Sequence, residues 1–302
     1  MQEQLKQLTL GLADVIYGKE QQIKLALCAM LARGHLLLED LPGMGKTTLS
    51  HGLAQALGMS YQRIQFTSDL LPADILGASI FNTQEQRFSF HKGPVFSQVV
   101  LADEINRAGP KTQSALLEAM EEGCVSIDSE RYTLPTPFFV VATQNPQHQS
   151  GTFPLPESQL DRFFMRLSLG FPPADAEKQL IRGHIPQRDK AIDAIISAEQ
   201  LQAMQANVDK VTIANTVVDY ILSLVTHTRY DKDISHPLSP RASIALAQGA
   251  RAWAFMEGRD FVMPEDVQAV FASICEHRIN PHDVYSQGSV CSDILARVKV
   301  PL

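Results

Sequence analysis

Short apolar runs alternate with helical patterns over the first half of the chain. Five runs of apolar or β-tolerant residues are long enough for buried strands and occupy residues 35–38, 63–66, 99–104, 138–142 and 162–169. Between them, apolar residues recur at helical spacing, as with Leu49, Leu53 and Leu57 on one helix face. Because strands that alternate with helices form parallel units, this pattern predicts an α/β fold with a five-stranded, mostly parallel sheet.

Two further segments have β character on either side of a polar turn. In residues 79–90 and again in residues 124–134, two short runs with β character flank a few polar residues. Strand runs separated by a short polar stretch are typical of hairpins. We therefore predict two hairpins inserted between the elements of the main sheet.

The second half of the chain has a different pattern. After Gly170-Phe-Pro-Pro173, only helical periodicity remains, with turns at prolines. We therefore expect an α/β core over residues 1–172 and a smaller, all-helical domain over residues 173–302.

The first predicted strand leads into a glycine-rich turn. Residues 40–48, Asp-Leu-Pro-Gly-Met-Gly-Lys-Thr-Thr, join this strand to a helix. Glycines would let the loop curl so that its backbone N–H groups point at phosphate oxygens, next to a helix N-terminus that adds partial positive charge. Lys46 would reach the β and γ phosphates, and the Thr47 hydroxyl would hold Mg²⁺. The residues expected to hold the nucleotide in this loop are Gly43, Met44, Gly45, Lys46, Thr47 and Thr48.

One position departs from the phosphate-loop pattern G-x-x-x-x-G-K-[ST]. Asp40 stands where the first glycine falls. Aspartate tolerates unusual turn conformations better than most residues, so we expect the loop to survive the change. Taken alone, the stretch is also compatible with a strand, a turn and a helix in which Gly-Lys-Thr is a coincidence.

Polar side chains end two of the apolar strands. A phosphate loop needs a second, carboxylate-bearing strand to hydrolyse a nucleotide, and Asp103 and Glu104 supply it. Asp103 would bind Mg²⁺, directly or through water, and Glu104 would orient and polarise the attacking water. Asn145 follows the next strand, where its amide would hydrogen-bond the γ phosphate and that water. The alternatives are carboxylates that only cap a strand and an Asn-Pro sequence that only makes a turn.

Two arginines are candidates for phosphate contacts outside the loop. Arg162 begins the last strand segment, where a permanently charged, planar guanidinium on a subunit edge would meet a neighbour's γ phosphate. Its alternative is a salt bridge with Asp161 or Glu157. Arg241 follows the N-cap Ser239 in the first turn of a helix, where a cation opposes the helix dipole. Arg241 therefore either faces an anion such as phosphate or is simply exposed to solvent.

Composition narrows the class of protein. The 302 residues are 45% hydrophobic and 20% charged, which is ordinary for a soluble globular protein of more than one domain. The net charge of −7, without a Lys/Arg cluster, argues against a nucleic-acid groove. No apolar segment is long enough to span a bilayer and no signal-peptide pattern is present, so we expect a cytoplasmic protein. The four cysteines have no paired spacing, which predicts buried thiols in a reducing compartment.

Seven motifs, in order along nearly the whole chain, resemble the MoxR family of AAA+ ATPases. They read DLPGMGKT, IQFTSDLLPADI, ADEINRA, QSALLEAMEE, ATQNP, LPESQLDRF and SPRA. The resemblance accounts for Asp40, because the loop of this family usually lacks the first glycine. It implies an ATPase core with a five-stranded sheet, an α-helical lid, and a homo-oligomeric ring, commonly of six subunits, that binds ATP and Mg²⁺ between neighbours.

The resemblance also implies roles for residues of the core. Lys46 and Thr47 would be the Walker A pair that binds the phosphates and Mg²⁺, and Asp103 and Glu104 the Walker B pair. Asn145 would be the first sensor of the γ phosphate.

Further roles concern both subunits of an interface. By the same resemblance, Arg162 would be the arginine finger and Arg241 the second sensor, which serves either its own subunit's nucleotide or a neighbour's. Tyr17 and Gly18 match the segment that usually contacts adenine through backbone groups.

The leading functional hypothesis is a ring-forming ATPase that remodels protein clients. The resemblance implies chaperone-like assembly or activation of client complexes, often with a von Willebrand factor A domain partner, and hairpins that face the pore or the client. A DNA-acting AAA+ motor is an alternative that the acidic composition disfavours. A nucleotide-binding scaffold without turnover is a second alternative.

Overall fold

A five-stranded parallel sheet organises the computed structural model of this protein. The structure describes residues 1–84, 86–144, 151–182, 193–281 and 289–300. In chain order its strands are β1 Leu36–Glu39, β2 Tyr61–Gln65, β3 Gly77–Asn82, β4 Arg87–Lys92, β5 Val99–Asp103, β6 Cys124–Ile127, β7 Glu130–Thr133, β8 Phe139–Gln144 and β9 Met165–Leu167. The main sheet has the order β2-β5-β8-β1-β9, and each neighbouring pair is parallel. The predicted sheet is confirmed.

Helices surround this sheet and form most of the second half of the chain. In chain order they are α1 Gln2–Ala13, α2 Glu20–Leu31, α3 Lys46–Ala56, α4 Pro72–Leu76, α5 Pro110–Glu122, α6 Glu157–Leu160, α7 Ala174–Ile181, α8 Ala198–Val208, α9 Asn215–Tyr230, α10 Pro240–Met256, α11 Pro264–Ile279 and α12 Ser289–Arg297. Within residues 168–182, 193–281 and 289–300 no strand follows β9, as the helical periodicity predicts.

The two faces of the sheet bury different sets of side chains. Because successive residues of a strand point to opposite faces, Leu36 and Leu38 of β1 join a core with α1, α2, α3 and the later helices, whereas Leu37 joins a core with α5. The first of these cores is continuous from α1 to α12. The later helices therefore pack directly on the N-terminal helices, and the boundary at residues 172/173 stays a prediction.

Both predicted hairpins are present and touch each other. Strands β3 and β4 pair antiparallel, and so do β6 and β7. The rings of Phe90 in β4 and Tyr132 in β7 stack with centroids 4.0 Å apart. Phe81 and Phe88, further along the first hairpin, pack edge to face and are largely exposed to solvent.

Two expectations from the sequence concern membrane-spanning segments and the cysteines. In the described part of the chain, no helix combines the length and the apolar character that crossing a membrane requires. All four cysteines are buried free thiols, as predicted.

Candidate functional site

The loop between β1 and α3 places a helix N-terminus at the carboxyl end of the sheet. Gly43 and Gly45 have φ of +85° and +91°, a left-handed conformation that glycine adopts at little cost. Helix α3 begins directly at Lys46. The N–H groups of the first turn of this helix therefore open onto the loop, which is the arrangement that binds phosphate.

Lys46 is a buried cation at this position. Its Nζ donates to the carbonyl oxygens of Asp40, at 2.8 Å, and Gln144, at 3.4 Å. Burial lowers the pKa of Lys46, while the charges of Asp40, Asp103 and Glu104 oppose that shift. Lys46, Asp103 and Glu104 line one cavity, so the structure brings the lysine of the loop and these two carboxylates together.

Asp40 fastens the loop to the chain that follows β9. Its Oδ2 accepts hydrogen bonds from the N–H of Leu169, from the N–H of Gly170 at 3.2 Å and from the Ser168 hydroxyl at 3.1 Å. The φ of Asp40 is not in the left-handed region. The conformational reason that we expected for aspartate here is therefore wrong, because its carboxylate instead caps the donors of residues 168–170.

A buried ion pair lies beneath the loop. Glu39 Oε2 and Arg166 Nη1 are 3.2 Å apart, and Gln144 Nε2 donates to Glu39 Oε1 at 2.8 Å. Burial raises the pKa of Glu39, whereas the charge of Arg166 lowers it. The pair joins β1 to β9 and supports the strand from which the loop departs.

Both oxygens of Asp103 have polar partners. Thr143 Oγ1 donates to Asp103 Oδ1 at 2.6 Å. Arg63 donates twice to Asp103 Oδ2, from Nε at 3.1 Å and from Nη2 at 2.6 Å. The carboxylate that ends β5 is thus held between a hydroxyl of β8 and a guanidinium of β2.

Glu104 has a strained backbone. Its φ of +57° is uncommon for a residue with a side chain and costs on the order of 1–3 kcal/mol. Its N–H donates to Thr143 Oγ1 at 2.9 Å, and its Oε2 accepts from Arg107 at 2.9 Å and Gln65 at 3.1 Å. Such strain is often found at functional sites, and here it turns the chain away from the strand directly after Asp103.

These groups surround one open cavity of about 590 Å³. It contains both glycines of the loop, the first residues of α3 and the carboxylates of β5. The residues that line it are Pro42, Gly43, Gly45, Lys46, Thr47, Thr48, His51, Tyr61, Arg63, Asp103 and Glu104.

Arg162 and Arg241 meet at a different place, on the carboxylate of Glu121. Arg162 Nη2 lies 3.2 Å from Glu121 Oε2, and Arg241 Nη2 lies 2.5 Å from Glu121 Oε1. Neither arginine is among the residues that line the cavity described above. A helix of the second half of the chain, α10, thereby reaches the end of α5 in the core.

The salt bridge of Arg162 is with Glu121, not with Asp161 or Glu157 as the sequence-based alternative expected. Glu157 pairs with His236 at 3.0 Å, and Asp161 pairs with Arg278 at 2.7 Å. Glu121, near the end of α5, contacts both arginines. Arg241 is half-exposed but has this partner.

Tyr17 and Gly18 lie at the junction between the core and the later helices. Gly18 packs against Pro173. Lys19 Nζ donates to the Phe171 carbonyl oxygen at 2.6 Å. The segment expected to contact adenine therefore contacts residues 171–173, directly after the residues that Asp40 caps. Neither Tyr17 nor Gly18 is among the residues that line the cavity.

The chain resembles known ATPases along most of its length. A family model described as "ATPase family associated with various cellular activities (AAA)" matches residues 35–165, and one described as "AAA lid domain" matches residues 226–295. The protein YeaC of Bacillus subtilis, described as uncharacterized, is 42% identical over 95% of this chain and 92% of its own. Chaperone MoxR1 of Mycobacterium tuberculosis is 38% identical over 88% of this chain and 72% of its own.

The chain belongs to the MoxR family of AAA+ ATPases. A crystal structure from Cytophaga hutchinsonii, described as that of a candidate ATPase, has a TM-score of 0.89 at 36% identity and covers 100% of this chain and 96% of its own. The predicted AAA+ fold with a helical lid is confirmed, and the protein is an ATPase that binds nucleotide.

The cavity of this MoxR-family ATPase fits a phosphate chain with Mg²⁺. Thr47 offers a hydroxyl and Asp103 a carboxylate, and hard oxygen ligands of this kind are those that Mg²⁺ prefers. Arg63 already places a positive charge on Asp103. The donor set therefore suits a cation at this carboxylate.

Several residues of the site were not identified from the sequence. Arg63 and Gln65 lie on β2, and the register of β2 on β5 pairs Gln65 with Asp103. Thr143 and Arg107 complete the contacts of the two carboxylates. Period-two alternation places Arg63 and Gln65 on one face of their strand, but only the sheet order shows that this face meets Asp103. Asn145 lies outside the described residues.

Proposed function

We propose that this protein is a ring-forming ATPase that couples hydrolysis of Mg²⁺-bound ATP to chaperone-like remodelling of protein clients. The observation that carries the proposal is the division of the site. The phosphate loop and the carboxylates line one cavity, whereas Arg162 and Arg241 lie together on Glu121. A ring brings such arginines to the cavity of the next subunit.

Within one subunit, the cavity binds the phosphates and activates water. The N–H groups of the loop and the Lys46 ammonium bind the β and γ phosphates, and Thr47 and Asp103 hold Mg²⁺. Bound Mg²⁺ neutralises charge on the phosphates. Glu104, with Asn145, orients a water molecule whose oxygen attacks the γ phosphorus; the bond to the bridging oxygen of ADP breaks, and Glu104 accepts the water's proton.

The neighbouring subunit completes the site. Arg162 and Arg241 share one carboxylate, so their guanidiniums lie close together. We infer that they leave Glu121 for the γ phosphate of an adjacent subunit, where a positive charge stabilises the transition state by about 10³- to 10⁵-fold in rate. Tyr17 and Gly18 contact adenine at the junction of core and lid.

The hairpins are the proposed contact with the client. Phe81 and Phe88 expose apolar rings at the surface, and Phe90 connects the first hairpin to Tyr132 of the second. Exposed aromatic groups of this kind bind apolar segments of other proteins. A relative is named a chaperone, and the family resemblance supports a von Willebrand factor A domain protein as a partner.

A Glu104→Gln variant tests this function. The amide retains the shape of the side chain but accepts a proton poorly, so we expect ATP to bind while phosphate release stops. Size-exclusion chromatography with light scattering should show a ring that forms with ATP and persists, and mass spectrometry should identify proteins captured on it. Glu3→Gln, an exposed position on α1, is the matched control and should hydrolyse ATP normally.

Three results would separate the alternatives. Unchanged phosphate release by Glu104→Gln would contradict the mechanism. A wild-type protein that binds ATP without turnover would indicate a scaffold. Salt-dependent binding of DNA by the ATP-bound ring, with no protein captured, would favour the DNA-acting motor.

A further inference from the structure

Arg63 occupies one oxygen of Asp103 beside the nucleotide cavity. Asp103 Oδ1 accepts from Thr143 within the sheet, whereas Oδ2 accepts from both Nε and Nη2 of Arg63. Arg63 and Asp103 are both lining residues of the cavity. A metal ion that binds Asp103 Oδ2 therefore meets the Arg63 guanidinium, which already contacts that oxygen.

The guanidinium can leave this oxygen without a change in the sheet. The side chain of Arg63 is 49% exposed, whereas that of Asp103 is only 11% exposed. Strand β2 stays paired with β5 through the register of Arg63 on Leu101 and Gln65 on Asp103. Arg63 lies at an edge strand, where a long side chain has room to rotate into solvent.

Two cations cannot share this oxygen at low cost. A guanidinium and a divalent ion at one carboxylate oxygen repel each other, and the surroundings of Asp103 screen that repulsion less than bulk water does. Without a metal, removal of Arg63 would leave Asp103 Oδ2 without the two N–H donors that hold it in place.

We propose that Arg63 is a positioning residue that holds Asp103 in the nucleotide-free state and is displaced when Mg²⁺ arrives with the nucleotide. This inference rests on the proposed function, in which Asp103 binds Mg²⁺. Arg63 thereby lowers the affinity of the site for Mg²⁺ and sets how strongly nucleotide binding depends on the metal.

Thermodynamic linkage provides the measurement. At a fixed Mg²⁺ concentration that loads the ADP complex but not the nucleotide-free site, the ratio of the Kd of ADP in EDTA to its Kd with Mg²⁺ rises with the affinity of the ADP complex for the metal. Isothermal titration calorimetry gives both constants without turnover. We expect Arg63→Gln to raise this ratio about three- to tenfold, because Mg²⁺ no longer displaces a cation.

Three further comparisons make the result specific. Arg63→Lys keeps the charge but cannot place two N–H groups on one oxygen in the same way, so its ratio should lie between those of the wild type and Arg63→Gln. Arg297→Gln removes an arginine from an ion pair of similar exposure, with Asp231, on the lid and should leave the ratio unchanged. In an Asp103→Asn background, Arg63→Gln should no longer change the ratio.

The possible failures are distinguishable. If the wild type binds ADP neither with nor without Mg²⁺, the proposed function itself is overturned, and the inference with it. If Mg²⁺ strengthens ADP binding in the wild type and Asp103→Asn removes that effect, but Arg63→Gln leaves the ratio unchanged or lowers it, only the inference about Arg63 is overturned.

Discussion

Single side chains around the phosphate loop hold protein groups in place. Lys46 contacts the carbonyl of Asp40, and the carboxylate of Asp40 caps the N–H groups of Leu169 and Gly170. A buried carboxylate with several donors stabilises its surroundings because removing it leaves those donors unsatisfied. The loop is therefore tied to the segment that leads from the core to the lid.

Replacing Asp40 by alanine should weaken both the fold and nucleotide binding. Two backbone N–H groups and one hydroxyl lose their acceptor, at about 1–3 kcal/mol for each buried donor that stays unsatisfied. We expect a lower Tm in a thermal melt and a Kd for ADP raised about tenfold in calorimetry, because the loop is no longer held.

Asp40→Asn and Asp175→Ala are the comparisons. The amide oxygen of asparagine can still accept from Leu169, so its effect should be smaller. Asp175 has a side chain that is 95% exposed and should tolerate alanine. Wild-type Tm and ADP affinity in Asp40→Ala would show that these hydrogen bonds do not support the loop.

At the level of elements, the first hairpin is attached to the core through a closely packed backbone crossing. Gly77 begins β3 with φ +98° and ψ 174°, a region that is accessible almost only to glycine. A Cβ at this position would lie 2.2 Å from the His91 carbonyl oxygen and 2.6 Å from the Gly93 nitrogen. The hairpin's direction therefore depends on the absence of a side chain.

Gly77→Ala should loosen the hairpin base. The unfavourable backbone conformation alone costs about 1–3 kcal/mol, and the overlap with backbone atoms adds to it. Limited proteolysis should cut within residues 77–93 faster than in the wild type. Gly109→Ala, with φ −64° and open space around the added Cβ, is the matched control and should be cut at the wild-type rate. Equal protection of both variants would show that the crossing tolerates a side chain.

On the scale of the whole molecule, the residues that we propose for hydrolysis are divided between two regions. The cavity contains Lys46, Thr47 and the β5 carboxylates, and the end of α5 holds Arg162 and Arg241. Because α10 belongs to the lid, the contact at Glu121 also links the lid to the core. The chain therefore presents the cavity and the two guanidiniums at separate places.

Mixing two inactive variants should restore activity. The Arg162→Ala subunit has an intact cavity, and the Lys46→Ala subunit has an intact Arg162. In a ring that contains both variants, some interfaces therefore combine the cavity of the first with the arginine of the second. In randomly mixed rings on the order of a quarter of the interfaces have this combination. We expect phosphate release well above that of either variant alone, measured after the two are dissociated and reassembled together.

The control mixture contains Arg162→Ala and the double variant Lys46→Ala/Arg162→Ala. It has no interface with an intact arginine and should remain inactive. A first mixture as inactive as this control would mean that Arg162 acts within its own subunit or only through its contact with Glu121.

Much of the architecture was predictable because it depends on local patterns. The five strands, both hairpins and the helical second half follow from period-two and helical spacing, and the structure confirms them. The loop of Gly43 to Thr47 and the carboxylates of β5 were identified as parts of one site for the same reason: each is a short motif next to a regular element.

The sequence by itself determined the order of elements and the chemistry at the carboxyl ends of the strands, since both are properties of neighbouring residues. Only the tertiary structure placed Arg63 on Asp103, the donors of residues 168–170 on Asp40, and both arginines on Glu121. These partners lie far apart along the chain. Which of many acidic and basic side chains meet depends on sheet order, register and the packing of α10 against the core, and no local pattern contains that information.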